Sequence, residues 1–163
     1  MTNNDVLRRM RYIFDFDDSK MIFIFTLVDH EVTRAEISDW LKKEDDPAHK
    51  KINDNVMAKF LNGLIIEKRG RREGNLPVAE KRLSNNIILN KIKIALNMKA
   101  EDVIEALASA DFTVSKHELS ALFRKPGHKH YRECKDQLLR NFLKGIQLQL
   151  RNSPPRPNNP DPN

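Results

Sequence analysis

The sequence predicts an all-α protein built from two tandem four-helix repeats with helix-turn-helix-like elements. Three observations carry that prediction. First, sliding the 163-residue chain by 82 residues lays 3–69 on 85–151 without a gap. Asn3, Asn4 and Leu7 meet Asn85, Asn86 and Leu89, and Asp29, Val32, Glu36 and Ser38 meet Asp111, Val114, Glu118 and Ser120. Phe60, Leu61, Gly63 and Arg69 meet Phe142, Leu143, Gly145 and Arg151. Second, apolar residues recur at helical spacing in both copies. Third, a capping box opens one helix in each copy at Thr33–Glu36 and Ser115–Glu118.

The first helix of each repeat follows an asparagine pair, whose side chains are natural N-caps. Val6, Leu7, Met10, Ile13 and Phe14 then form one apolar stripe, mirrored by Ile88, Leu89, Ile92, Ala95 and Leu96. The second element is ambiguous in repeat one, because Met21-Ile22-Phe23-Ile24-Phe25 has the composition of a buried strand. Its counterpart, Val103 to Ala108, is alanine-rich and helical, and two copies of one fold share their elements. Phe23 is matched by Glu105, a solvent-type residue, so Phe23 is expected on an exposed or inter-repeat surface, with the contact between the repeats preferred to a partner site.

The capping boxes start the third helix, which turns Ile37, Trp40 and Leu41 inward, as it does Leu119, Leu122 and Phe123. Pro47 and Pro126-Gly127 close it, since neither continues a helix. The fourth helix is expected from about 53 to 69 and from about 135 to 151. Val56, Phe60 and Leu64 repeat there as Leu138, Phe142 and Ile146. Gly63 and Gly145 sit inside it at a propensity cost of about 1 kcal/mol each. A glycine placed there twice predicts close approach by another helix.

The domain organisation follows: repeat one at 1–69, a linker at 70–84, repeat two at 85–151 and a proline-rich tail at 152–163. The linker has two glycines, a proline and no helical stripe. The tail has no large apolar residue and is expected to be disordered.

Composition narrows the function. No apolar run approaches the length that spans a bilayer, and no signal peptide opens the chain, so neither membrane insertion nor secretion is expected. One cysteine makes no internal disulfide and fits a reducing compartment, so a cytoplasmic location is expected. The net charge is +6, and it is unevenly spread. Residues 3–69 hold 12 Lys+Arg against 13 Asp+Glu, whereas 85–151 hold 12 against 7.

The excess concentrates in repeat two at Lys116, Arg124, Lys125, Lys129 and Arg132, with His117, His128 and Tyr131 between them. Repeat one carries Glu44, Asp45 and Asp46 where repeat two has Pro126, Gly127 and His128. Lysine and arginine neutralise backbone phosphates, and tyrosine or histidine stacks on bases or sugars, so this cluster is the candidate nucleic-acid surface. In a helix-turn-helix reading, Lys116, His117 and Ser120 would lie at the start of the reading helix, although the turn lacks its frequent glycine. A partner nucleic acid, RNA or DNA, is therefore the leading expectation. The alternative is a protein–protein adaptor that uses Phe23 and the acidic loop of repeat one.

Enzymatic and metal chemistry find little footing. No phosphate-cradling glycine loop, nucleophile elbow or zinc-protease motif occurs, and the 44–46 carboxylates read as a solvated loop. His128, His130, Glu133 and Cys134 do not have zinc-ligand spacing. Cys134 also falls on an apolar position, matched by Ile52, where cysteine behaves as a small hydrophobe. A non-enzymatic protein without cofactor or metal is expected.

Several segments together resemble the bacterial YehS-like family: Asn3 to Arg9, Trp40 to Pro47, Phe60 to Leu64, Leu83 to Ile88, Phe123 to Gly127 and Leu139 to Gly145. They span 1–151 and leave out the tail. The resemblance implies a compact bacterial cytoplasmic protein with two copies of one domain. It implies no activity, cofactor or catalytic residue.

Overall fold

The computed structural model describes residues 1–151, so the expectation for the tail lies outside the described residues. Among them the chain forms eight helices and no strand. Repeat one contains α1 (Asn3–Phe14), α2 (Asp18–Thr26), α3 (Arg34–Leu41) and α4 (Asp54–Arg69). Repeat two contains α5 (Asn85–Ala95), α6 (Ala100–Ser109), α7 (Lys116–Leu122) and α8 (Asp136–Arg151). The duplicated four-helix architecture read from the sequence is the architecture of the chain, and the strand-like 21–25 segment is helical as its counterpart requires.

The asparagine pair does not cap the first helices. Thr2 and Ser84 do, accepting from the amides of Asp5 and Ile87. The asparagines are the first two residues of each helix and clamp the long loop before the fourth helix. Asn4 Nδ2 donates to Trp40 O and Lys50 O at 2.9 and 2.8 Å, and its Oδ1 accepts from Ile52 N at 3.3 Å. Asn86 does the same to Leu122 O, Arg132 O and Cys134 N at 3.0, 2.8 and 2.9 Å. Asn3 and Asn85 add bonds to Ile52 O and Cys134 O, and to Asp54 and Asp136 at 2.7 Å each. An asparagine offers two donors and an acceptor, which is what a loop with unpaired backbone groups needs from the helix beneath it.

The glycines mark where the fourth helix crosses the second. A Cβ on Gly63 would stand 2.3 Å from Ile24 O, and one on Gly145 would stand 1.8 Å from Ala106 O. The backbones touch, as the paired glycines predict. Around these crossings the core of repeat one is aromatic, with Phe25 5.5 Å from Phe60 and 5.8 Å from Trp40 between ring centroids.

The repeats join along one seam, with α4 against α5 and α1 against α8. Under the 82-residue shift these two pairings exchange, so the repeats face each other about a pseudo-two-fold axis. Cross-seam bonds follow the same rule. Asp54 Oδ2 accepts from Leu83 N at 2.9 Å, and Asp136 Oδ2 accepts from Met1 N at 2.6 Å. Both gripped residues immediately precede the cap of the opposite repeat's first helix. Phe23 is not part of this seam: it lies on α2, 47% exposed, with Lys20 Nζ 5.4 Å from its ring centroid. Of the two surfaces expected for Phe23 the exposed one is found, and the preferred contact between the repeats is made instead by the faces of α1, α4, α5 and α8.

Two substitutions test this frame. Asn86→Ala strands two carbonyls and an amide and should cost about 2–4 kcal/mol in urea unfolding. Gly145→Ala should cost about 1–3 kcal/mol, and more than Gly63→Ala, because its obstacle is nearer and is entirely backbone.

Candidate nucleic-acid interface

The Ser115 capping box fixes the start of α7: Glu118 N donates to Ser115 Oγ at 3.0 Å, and Ser115 N donates to Glu118 Oε1 at 3.3 Å. After α7 the chain runs without regular structure to α8. Gly127, at φ +93°, allows the turn after Pro126. The strand-free segment is then tied back: Arg132 N donates to Ala121 O at 3.1 Å, and Asn86 holds Arg132 O and Cys134 N. The tie lays 129–132 alongside α7 and leaves an open groove of about 1090 Å³ between them and the start of α8.

Of the candidate residues, His117, Ser120, Arg124, Lys129, Tyr131 and Arg132 line this groove. Lys116, Lys125 and His128 do not. Lys116 donates to Glu101 on α6 at 2.8 Å, and this bond holds the lysine above and the glutamate below their ordinary pKa. Ser120 Oγ donates to His117 O at 2.8 Å, within its own helix. His128 Nδ1 accepts from His130 N at 3.0 Å, and the two rings lie 5.6 Å apart. Residues 110–115 connect α6 and α7, a longer link than the three to four residues of a helix-turn-helix. The link is therefore not the short turn of a helix-turn-helix. The basic residues converge at the other end of α7.

Comparing the repeats shows why those cations are free. In repeat one, Asp39 accepts from Lys42 at 2.8 Å and lies 3.7 Å from Lys50. The bond from Lys42 holds the Asp39 carboxyl below its usual range. Arg124 and Arg132 occupy the Lys42 and Lys50 positions in repeat two, but Ala121 replaces Asp39. Arg124, Lys129 and Arg132 have no ion-pair partner among the described residues. The groove's carboxylates are otherwise engaged: Glu118 in the capping box, and Glu133 3.5 Å from Lys135.

Cys134 is buried beside the groove, and burial together with the Asp136 charge pushes its thiol up to about 11. It packs where Ile52 packs in repeat one. Among the described residues no three His, Cys, Asp or Glu side chains stand together as metal ligands would, and no helix is long and apolar enough to cross a membrane.

These features define a class: a duplicated, all-helical domain whose halves share one scaffold and differ in surface charge. The chain belongs to the family described as "protein of unknown function (DUF1456)", whose model matches twice, at residues 3–70 and 85–152. It is similar to "Uncharacterized protein YehS" of Escherichia coli (strain K12), at 42% identity over 147 residues, covering 90% of this chain and 94% of that protein. No solved structure matches the chain.

The raised thiol pKa gives a direct check. Native protein at pH 8 should resist a disulfide-exchange reagent at Cys134 and react fully once unfolded in guanidinium. The thiol form is favoured by folding, so its contribution to stability is present below pH 9.0 and is lost as pH rises towards about 11.

Proposed function

We propose that this chain is a non-enzymatic nucleic-acid-binding protein that holds the phosphate backbone of RNA or DNA in the basic groove of repeat two. The carrying observation is that Arg124 and Arg132 keep the cation positions of repeat one, while Ala121 removes the carboxylate that occupies them there. A phosphate supplies the missing negative charge. Arginine suits this role, since its planar fork binds phosphate through two parallel hydrogen bonds. Lys129 adds a third cation, and His117 and Tyr131 offer rings for stacking beside the backbone. The Asn86 clamp supports the reading by fixing the backbone at Arg132, so the cation needs little ordering when it binds.

Fluorescence anisotropy with labelled oligonucleotides across a salt series tests the proposal. Ala121→Asp rebuilds the repeat-one ion pair and should weaken binding while leaving the fold intact. Arg124→Glu with Lys129→Glu should weaken it further and lower the log–log salt slope by about one per phosphate contact removed. Wild-type affinity and slope in both variants would remove the groove from the function.

A further inference from the structure

A second concavity, of about 520 Å³, opens along the seam between the repeats. Helices α4 and α5 form its floor, and the linker covers one side. That linker is anchored: Asn55 Nδ2 donates to Glu80 O at 3.1 Å, Leu83 N to Asp54, and Arg71 to Leu27 O at 3.2 Å. Ile65, Leu76, Ile87 and Phe123 give the cleft apolar walls.

Asn62 lies in its lining and is 2% exposed. Lys91 Nζ, from α5, donates to Asn62 Oδ1 at 2.5 Å. An ammonium only donates, so the atom facing it is the oxygen, and the amide orientation is fixed. The remaining Nδ2 has no hydrogen-bond partner among the described residues. Buried donors in native proteins are nearly always paired, so this one points to an acceptor that arrives from outside the chain. Lys91 is itself balanced by the Glu80 carboxylate, whose Oε1 lies 3.0 Å away although it accepts no hydrogen bond among the described residues, so the floor carries no spare charge.

The spare charge is at the mouth. Arg69, Arg72 and Arg124 line the cleft, and none has an ion-pair partner among the described residues. The pseudo-symmetric place on the other side of the seam is built differently. Lys144 stands at the Asn62 position, and Arg151, the counterpart of Arg69, sits over the Tyr12 ring at 4.6 Å. Leu122, Arg124 and Tyr131 line both this cleft and the basic groove, so the two concavities adjoin.

We infer that the cleft receives an unpaired base of single-stranded nucleic acid, with a base acceptor on the Asn62 amide and the strand's phosphates passing over Arg124 into the basic groove. The inference rests on the proposed reading of that groove. A nucleobase matches the lining, having two apolar faces, an edge of acceptors and an anionic backbone on the far side. The cleft is in the size range of sites that bury a ligand of this class. A duplex presents a base at this depth only at the cost of unstacking and unpairing it, so the arrangement favours single strands.

Anisotropy with fluorescein-labelled oligothymidylate, oligouridylate and a duplex, each of about fifteen nucleotides, tests this. Wild-type protein should bind the single strands at least about tenfold more tightly than the duplex. Asn62→Leu should reduce single-strand affinity about 5–10-fold with the salt slope unchanged, because no phosphate contact is lost. Asn62→Asp keeps an acceptor for Lys91 while removing the donor, and should do the same, which separates the lost bond from a packing defect. Circular dichroism melts of both variants establish that they fold. Equal binding of single strands and duplex, with both Asn62 variants at wild-type affinity, would overturn the base cleft and leave the phosphate groove standing. Failure of wild-type protein to bind any of the three would overturn both.

Discussion

The clamp made by Asn4 and Asn86 is the interaction on which the rest of each repeat depends. Between the third and fourth helices the chain has no regular structure, so its backbone groups lack the partners a helix supplies. One buried amide side chain satisfies three of them, in the same geometry in both copies. Neighbouring Asn3 and Asn85 extend the grip to Asp54 and Asp136, whose second oxygens reach across the seam. Loop, fourth helix and opposite repeat are thereby fixed from a single turn of helix. Because the loop is held from inside, the charge of its outer residues can differ between the copies. One copy is free to be acidic at 44–46 and the other basic at 124–132.

The candidate site is thus a difference between two copies of one scaffold. Asp39 in one and Ala121 in the other separate a surface whose cations are neutralised from a surface whose cations are not. The same contrast recurs at the seam. Arg151 rests on Tyr12 on one side, while Arg69 and Ile94 border an open cleft on the other.

Much of this was legible in the sequence, and the limits are physical. The capping boxes and apolar stripes are local signals, so the helices could be read directly. The gapless repeat then resolved the 21–25 segment that composition left ambiguous. Gly63 and Gly145 announced their helix crossings because a mid-helix glycine has few other uses. The asparagines were misread as caps because residue type does not say which way a side chain points, and Thr2 and Ser84 stood next to them. Phe23 was left between an exposed and an inter-repeat surface because an apolar residue facing outward looks the same in sequence as one facing a partner. Among the basic residues, charge was visible but availability was not: Lys116 is engaged by Glu101 on a neighbouring helix. The exchange of Asp39 for Ala121 was visible in the alignment. Its meaning required knowing that Lys42 and Lys50 converge on one carboxylate. Nothing local announces the cleft, since Asn62 and Lys91 meet only when the repeats pack.

The pseudo-two-fold seam has a consequence for how such a chain diversifies. Its geometry is that of an isologous homodimer whose subunits have been joined end to end. Joining them replaces association between molecules with an encounter at the high effective concentration set by the 70–84 tether, so dilution cannot separate the halves. It also lifts a constraint that binds every true homodimer, in which each substitution appears twice. Here one half can be altered alone, and a symmetric body can acquire a single, directional face.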